Sequence, residues 1–404
     1  MHILLSLSFV VLCLASGLTP VPHNASVSEG ANARVFINDP SAIDALNADP
    51  LVEWTAQASE VWEGVTVDEF RSRLLSHDLL TDSDLSSAST APDVQVDPKD
   101  LPASFDSRKE WPGYISPVRD QAGCMSCWAF ASAGVLEDRL SIAQYEKGLP
   151  VIDYLSPQYM VSCDEEDGAY ACDGATTPAT WDFLVSEGTV LDSCVPYVSG
   201  TAGQVPECPS RCTDGSKQKN FKADHWYQTT ATNDVSASAA IMSEIMTNGP
   251  VTAVMMVYKS FSSYRSKVYS HIPGEHPEGL HAVKILGWGM SGSTPYWLVQ
   301  NQWGTSWGED GYFKIRRGTN ECEIESHISA PGLSHGMGFM ETWLVVILIG
   351  EGVIFLGALG YYLHMRHNRS GKSHGFTKII GDQDTLTDPT MGTSYGSGDG
   401  DVVV

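Results

Sequence analysis

Basic side chains are scarce in this sequence. It has 24 lysines and arginines against 49 aspartates and glutamates, which gives a formal net charge of −25 at pH 7. A nucleic-acid partner needs a basic stripe that neutralises phosphates, and the sequence has none. The charge balance therefore argues against nucleic-acid binding. It suits a protein of an acidic compartment, where many carboxylates are partly protonated.

Solenoid-type internal repeats are also absent, and long apolar runs lie near the two ends of the chain. The first run, residues 3–14, is too short to span a bilayer and precedes the small residues Ala15, Ser16 and Gly17. That pattern is typical of a cleaved secretory signal, so we assign 1–17 to a signal peptide. Cysteines beyond it then face an oxidising lumen, in which disulfides persist.

The second run, Trp343–Leu363, is long enough to cross a bilayer, which takes about 20 apolar residues. A polar tail follows it, which argues against replacement of the run by a lipid anchor. Four basic residues follow the run, and they place the tail in the cytosol: Arg366, Arg369, Lys372 and Lys378. We predict a single-pass protein with a stalk (331–342), a transmembrane helix (343–363) and a cytosolic tail (364–404).

The segment between the two runs changes in composition near Leu101. Residues 18–50 are polar and contain the glycosylation sequon that begins at Asn24. Residues 76–100 are rich in Ser, Thr, Asp and Pro, as expected of an exposed and cleavable linker. The main folded domain is therefore predicted to span 101–330.

The two halves of this domain have different local patterns. Ser126 is placed to cap a helix from Cys127 to about Leu140, and a second helix is predicted to open at Thr177-Pro178 and to stop at Gly188. The second half predicts strands over Val251–Tyr258, Ala282–Trp288, Tyr296–Gln300 and Tyr312–Arg316. Helices followed by strands predict an α+β fold of two lobes with a cleft between them.

The segment 121–130 has the features of an activated thiol. Cys127 lies at the first turn of a predicted helix, where the helix dipole and free amides stabilise a thiolate. A histidine beside it would complete the nucleophile, and His281 and Asn301 are the candidates. Taken singly, Cys127 is more often half of a disulfide, His281 a core or rim residue, and Asn301 uninformative. Together with Gln121 they favour a catalytic set.

Further motifs make a family resemblance specific. They are Leu101-Pro-Ala-Ser-Phe-Asp106, Gly287-Trp-Gly289, Pro295-Tyr-Trp-Leu298, Asn301-Gln-Trp-Gly304 and Arg317-Gly-Thr-Asn-Glu-Cys322. With 121–130, they resemble the papain family of cysteine peptidases, and specifically its cathepsin B branch. In that family the His and Asn lie roughly 130–150 residues after the Cys, and the spacing here is slightly longer. The resemblance covers 101–330. It implies a papain-like fold with a helical left lobe, a barrel-like right lobe and peptide-bond hydrolysis in the cleft.

The resemblance gives each candidate a role. The Cys127 thiolate attacks the substrate carbonyl, and the His281 imidazolium stabilises the thiolate and then protonates the leaving amine. Asn301 fixes the imidazole tautomer, and Trp303 shields that hydrogen bond from water. Gln121 donates to the oxyanion together with the Cys127 backbone amide.

Two rival functions remain open for the same residues. One is an inactive peptidase fold that serves as a membrane adhesion or binding protein, although such homologues usually lose the cysteine, which is present here. The other is an exopeptidase or transpeptidase.

The cathepsin B resemblance also implies disulfides Cys124–Cys172, Cys163–Cys208 and Cys194–Cys212, with Cys322 free. Sequence alone allows many other pairings. Metal binding is a rival interpretation of Cys208 and Cys212, but no second ligand pair accompanies them. We expect neither a metal nor a cofactor.

The cleft departs from the cathepsin B pattern at its first specificity pocket and at an insertion. Cathepsin B carries a long insertion with a histidine pair that blocks its cleft and makes it a carboxydipeptidase. The corresponding segment here, 195–207, is short and lacks histidine, which predicts an open cleft and endopeptidase activity. Beside Gly174, Met125 and Ala175 replace glycines and should narrow the first pocket.

The second pocket is predicted from Val254, Ala282 and His327, where His327 replaces a glutamate at the floor. Apolar walls favour apolar side chains, and a protonated His327 would tolerate an acidic one, since an unperturbed histidine titrates near 6.5. The alternative is a His327 that points into solvent. Glu323 and Gln302 replace a usual glycine and serine, with no consequence that we can predict.

Residues 18–100 resemble the short propeptide of the cathepsin B branch, with Trp54, Trp62 and Thr66–Phe70 as its markers. We expect this segment to run through the cleft and to inhibit the enzyme until acid or proteolysis releases it. The alternative is a disordered spacer. The predicted partners are therefore polypeptide substrates, the propeptide and a membrane. The predicted compartment is lysosome-like or vacuole-like, with the cell surface or a secretory granule as alternatives.

Overall fold

The computed structural model describes residues 34–79, 88–89, 91, 99–166, 168–202, 204–229 and 236–333. The predicted signal peptide, transmembrane helix and cytosolic tail lie outside these ranges. Within the described ranges, no helix is both long and apolar enough to cross a membrane.

Eight α-helices are described. They are α1 (Pro40–Ala48), α2 (Val67–Arg71), α3 (Ser107–Glu110), α4 (Cys127–Tyr145), α5 (Pro157–Cys163), α6 (Thr177–Ser186), α7 (Ser199–Ala202) and α8 (Ala237–Asn248). Short 3-10 turns occupy Glu60–Trp62, His77–Leu79, Ala171–Asp173, Lys259–Ser263 and Glu321–Glu323.

The two helices predicted in the first half are present, with shifted caps. α4 continues to Tyr145, and Ser126 precedes it without capping it, since the Ser126 hydroxyl instead contacts the Tyr197 hydroxyl at 2.7 Å. α6 is capped by Thr176, whose Oγ1 accepts from the Ala179 amide at 3.3 Å. The predicted cap was one residue late, because Thr177 and Pro178 already form the first turn.

Ten strands are described. They are β1 (Thr55–Ala56), β2 (Phe105–Asp106), β3 (His225–Gln228), β4 (Val251–Tyr258), β5 (Tyr264–Ser266), β6 (Val268–Tyr269), β7 (Pro277–Ser291), β8 (Thr294–Gln300), β9 (Tyr312–Arg316) and β10 (His327–Gly332). β1 pairs with β5, and an eight-stranded sheet runs in the order β3-β10-β4-β7-β8-β9-β6, with β2 attached to β7. The α+β class is therefore confirmed.

The predicted strands agree with this sheet. β4 and β9 have the predicted bounds, β8 begins two residues earlier, and β7 extends the predicted Ala282–Trp288 in both directions. β7 pairs with both β4 and β8. Hydrogen bonds to these two strands extend β7 beyond the buried apolar stretch from which it was predicted. β10 extends to Gly332, so the predicted stalk begins inside the last strand.

The segment before Leu101 is folded onto the domain where it is described. Its buried apolar side chains other than Leu75 belong to one core cluster with β4, β7, β8 and β9, among them Ile37, Trp54, Trp62, Phe70 and Leu74. Two indole N–H groups anchor it, since Trp54 donates to the Ser270 carbonyl and Trp62 to the Ser262 carbonyl, each at 3.0 Å. A second cluster joins α4, α5 and α6 to the cleft residues Val254 and Ala282.

Candidate active site

Cys127 is the first residue of α4 and is fully buried. The Ala282 amide lies 3.5 Å from its Sγ and donates to it. Just before the helix, Cys124 is bonded to Cys172, and the Met125 amide donates to the Cys172 carbonyl at 3.2 Å. The turn that presents the thiol is therefore fixed on both sides.

His281 and Asn301 are brought together by β7 and the end of β8. The imidazole Nε2 lies 2.8 Å from the Asn301 Oδ1, which also accepts from the Gln302 amide. Since Oδ1 is an acceptor, Nε2 carries the proton, and Nδ1 is the nitrogen with a free lone pair. The Trp303 ring stacks on the imidazole, with ring centres 4.7 Å apart and planes 30° apart. Trp303 is 2% exposed, so it keeps water from the His281–Asn301 bond.

Burial disfavours the charged forms of both the thiol and the imidazole. Burial raises the pKa of Cys127 to about 12 and lowers the pKa of His281 to about 4. The sequence predicts a thiolate–imidazolium pair, and burial under residues 34–79 opposes both of its charges. The reason is desolvation, because both charged forms lose hydration when the segment before the domain closes over them.

Gln121 is fully buried beside the nucleophile turn. Its Nε2 donates to the Cys124 carbonyl at 3.1 Å and to the Arg73 carbonyl at 3.3 Å. The resemblance assigns the Gln121 side-chain N–H to the transition-state oxyanion. In this state that donor is instead bound to the Arg73 carbonyl, which belongs to residues 34–79.

The same segment then crosses the cleft as a short strand-like bridge. Leu75 and Leu280 exchange two backbone hydrogen bonds, each of 2.8 Å, and Leu75 is 3% exposed. A methyl group added to Gly174 would come within 2.8 Å of the side chains of Leu75 and Leu79 and within 3.2 Å of the Met125 sulfur. The predicted course of the propeptide through the cleft is thus present, and a disordered spacer is wrong for residues 34–79.

Aromatic packing holds this segment at the other side of the histidine. Trp62 and Phe70 make edge-to-face contacts with Trp303, at ring-centre distances of 5.0 and 5.8 Å. Such pairs are worth about 0.5–1.5 kcal/mol beyond the buried area. The Trp303 ring therefore contacts both the covering residues 34–79 and the imidazole.

The residues predicted for the second pocket form one row across three strands. Val254 lies opposite Ala282 in the β4–β7 pair and opposite His327 in the β10–β4 pair. Directly opposed residues of an antiparallel pair share a face, so all three project to the same side of the sheet. Val254 and Ala282 are buried, and His327 is partly exposed. For the first pocket, Ala175 is buried and Met125 partly buried.

Three disulfides are formed, and their pairings are those that the resemblance implies. Cys124–Cys172, Cys163–Cys208 and Cys194–Cys212 have Cα separations of 4.9, 4.8 and 4.3 Å. Cys127 and Cys322 are free and buried.

Two residues near the nucleophile carry roles that the sequence does not predict. The Tyr197 hydroxyl donates to the Gln121 carbonyl at 2.8 Å and contacts the Ser126 hydroxyl, which braces the turn before Cys127. The Gln302 side-chain amide donates to the Ala282 carbonyl and lies 3.5 Å from the His281 Nε2. No local pattern distinguishes these side chains, because their partners are distant in sequence.

Comparison with known proteins agrees with this geometry. The family profile described as papain family cysteine protease matches residues 101–332, so the chain belongs to that family. It is an enzyme of the cysteine peptidase class, with a cathepsin B-like sequence and a propeptide.

Its relatives and structural neighbours support the same assignment. The chain is 42% identical over 277 residues to the cathepsin B-like CP3 of Giardia intestinalis, covering 68% of this chain and 88% of the relative. It is 35% identical over 297 residues to cathepsin B-like cysteine proteinase 4 of Caenorhabditis elegans, covering 66% and 85%. Among solved structures, procathepsin B S9 from Trypanosoma congolense aligns with a TM-score of 0.63 at 29% identity, covering 73% of this chain and 98% of that one.

Proposed function

We propose that this chain is a membrane-anchored endopeptidase made as an inhibited zymogen, with Cys127 as its nucleophile. The observation that carries the proposal is the placement of Cys127 at the start of α4, next to the Ala282 amide that follows His281. The hydrogen bond from His281 to Asn301 supports it, since it fixes the imidazole as a proton acceptor at Nδ1.

The proposed reaction begins when the covering segment leaves and water enters the cleft. The Cys127 proton then passes to the imidazole Nδ1, because both charged forms regain hydration and attract each other. The thiolate attacks the peptide carbonyl, and Gln121 and the Cys127 amide bind the oxyanion. Collapse breaks the C–N bond while His281 protonates the amine, and water hydrolyses the resulting thioester.

Cleavage within chains is the expected specificity. The short segment 195–207 supports an open cleft, and the row formed by Val254, Ala282 and His327 supports an apolar second pocket. Met125 lies close to Gly174, which supports a narrow first pocket and slow turnover of substrates with Arg before the scissile bond. Profiling a peptide library at two pH values tests these points. Exclusive removal of C-terminal dipeptides would overturn the endopeptidase proposal.

Anchoring is proposed from the apolar run Trp343–Leu363 and the basic residues after it, which lie outside the described residues. The proposed site of action is an acidic, lysosome-like compartment, reached through the secretory pathway. Membrane fractionation tests the anchor: the full chain should stay in the carbonate-washed pellet, and a chain that ends at Leu333 should be soluble.

Labelling by an epoxide that is directed at active-site thiols tests the enzyme itself. The activated protein should be labelled at Cys127 and should cleave an unblocked and a blocked peptide. The Cys127→Ala variant should do neither. A folded, activated protein that takes no label and cleaves nothing would support the rival function, an inactive peptidase fold used for binding.

A further inference from the structure

Three metal-ligating side chains meet outside the residues proposed for catalysis. His271 follows β6, and Glu321 and Cys322 lie in the 3-10 turn that precedes β10. The imidazole Nδ1, a Glu321 carboxylate oxygen and the Cys322 sulfur all lie within 4.8 Å of one another. We propose that these three side chains bind a divalent cation of the zinc class, with a water or an external ligand in the fourth position.

The donor set selects the metal. A thiolate and an imidazole favour Zn²⁺ over Mg²⁺ and Ca²⁺, which prefer oxygen donors throughout. The His271 Nδ1 lies 2.6 Å from the Glu321 Oε1, and the Cys322 sulfur lies 3.6 Å from the same oxygen. Tetrahedral zinc places such donors roughly 3.3–3.7 Å apart, from bond lengths of about 2.0–2.3 Å. Binding therefore requires the imidazole and the carboxylate to separate by less than ~1 Å, and the imidazole and the sulfur, which lie within 4.8 Å of each other, to approach by about 1 Å.

The surroundings hold the donors in place. Cys322 is 5% exposed and Glu321 is 9% exposed, so both start from restricted positions. The Tyr258 ring stacks on the imidazole, with centres 4.7 Å apart, and the His271 amide donates to the Glu321 carboxylate at 2.9 Å. The His271 side chain is 37% exposed, which gives a metal ion a path to the site and leaves room for a fourth ligand.

The local charges favour a cation. Glu275 is a second carboxylate near the site, since its Oε2 accepts from the Ile272 amide at 3.4 Å. Glu275 is itself held by the Ser260 amide and hydroxyl, at 3.0 and 2.7 Å. A dication bound at this site would compensate the negative charges of Glu321, of Glu275 and of a Cys322 thiolate.

The consequence for the fold is a brace between distant segments. A metal bound here would join the loop after β6 to the turn that leads into β10, and β10 carries His327 of the proposed second pocket. His271 and Glu321 are 50 residues apart in sequence, so the site cannot be recognised from a short ligand spacing.

The experiment uses the full proenzyme with Cys127→Ser in every variant, so that the catalytic thiol supplies no ligand and no self-cleavage occurs. Cobalt(II) is the spectroscopic probe, and zinc affinity is measured by competition with a chromophoric chelator. We expect one metal per chain and a thiolate-to-cobalt charge-transfer band. Both should disappear in Cys322→Ser. Zinc affinity should fall at least about 100-fold in His271→Gln, since loss of a partner outside the ligand shell already costs about 10–100-fold.

Glu323→Gln is the matched control, because Glu323 lies in the same turn but outside the donor set. Its zinc affinity should equal that of the Cys127→Ser protein. His271 is partly exposed, so His271→Gln reports on the site even where Cys322→Ser fails to fold. No charge-transfer band, or zinc affinity that is unchanged in His271→Gln, would overturn the proposal and leave a metal-free cluster with a protonated thiol.

Discussion

The Gln121 side chain, which the family resemblance makes an oxyanion donor, donates to the Arg73 carbonyl of its own chain in the proenzyme. In the activated enzyme, Gln121→Ala should lower kcat by about 10²–10³ with little change in KM, because the lost hydrogen bond matters most in the transition state. Gln121→Glu keeps the size of the side chain, removes the donors and should be no more active. Steady-state kinetics on one fluorogenic peptide measures the effect. A loss confined to KM would mean that Gln121 binds the substrate uniformly and is not an oxyanion donor.

Cys127 should respond to pH differently before and after activation. In the proenzyme, a thiol pKa of about 12 and an imidazole pKa of about 4 leave both groups neutral across the range between those values. Alkylation of Cys127 by iodoacetamide should therefore be slow and should rise only toward high pH. After removal of the covering segment, the rate should be high already in mild acid, where an imidazolium supports the thiolate. Peptide mass spectrometry measures the labelled fraction, and the same pH profile in both forms would contradict the prediction.

Residues 71–79 close the cleft, and Leu75 is one of the buried side chains in this segment. Leu75→Ala leaves a cavity that should destabilise the proenzyme by about 2–5 kcal/mol. The loss applies to the state in which residues 71–79 cover the cleft. We expect a lower Tm of the proenzyme and faster self-activation in acid.

His77→Ala is the matched control, because His77 is exposed on the same element and should change neither property. Equal activation rates for Leu75→Ala and the unaltered proenzyme would show that the Leu75–Leu280 bridge does not hold the cleft closed.

Elements with strong local signals were predictable from the sequence. β4 and β9 combine β-branched and aromatic residues with clear bounds, and α4 follows from its apolar run. α1 was not predicted, although Asp39 caps it and Pro40 is its first residue. The surrounding residues are polar, so no apolar periodicity indicated a helix there. The contacts of Leu75 with Leu280 and of Arg73 with Gln121 join residues far apart in sequence, and no local pattern encodes such pairings. The helix position of Cys127 and the family resemblance together identified Cys127, His281 and Asn301. The resemblance did not supply the role of Gln302, which departs from the family pattern.

At the scale of the whole molecule, buried ionisable groups should make proenzyme stability depend on pH in two opposite ways. The pKa of His281 is lowered to about 4, below the ordinary histidine pKa near 6.5. Its contribution to the free energy of unfolding is therefore present above pH 6.5 and is lost as the pH falls toward 4. Burial raises the pKa of Glu137 and of Asp164 to about 7, so their protonated forms support the fold at low pH, and that support is lost as pH rises toward 7.

The histidine contribution can be isolated by comparison. Cys127→Ser proenzyme with and without His281→Gln should differ in the pH dependence of unfolding, by about 3 kcal/mol between pH 6.5 and 4. Denaturant titrations at several pH values measure it, with the Gln variant losing less stability in acid. Parallel curves would show that His281 is not buried in its neutral form.

The core that residues 34–79 share with the sheet has a consequence for the lifetime of the enzyme. Trp54, Trp62 and Phe70 belong to a cluster that also contains apolar side chains of the peptidase domain, and only the domain members remain when the segment is removed. The active form would then lack part of the apolar surface with which the proenzyme folded, and we expect the barrier to unfolding to govern its lifetime. An active enzyme that unfolds once would not refold without its propeptide. Removal of the propeptide would therefore both activate the enzyme and limit its lifetime.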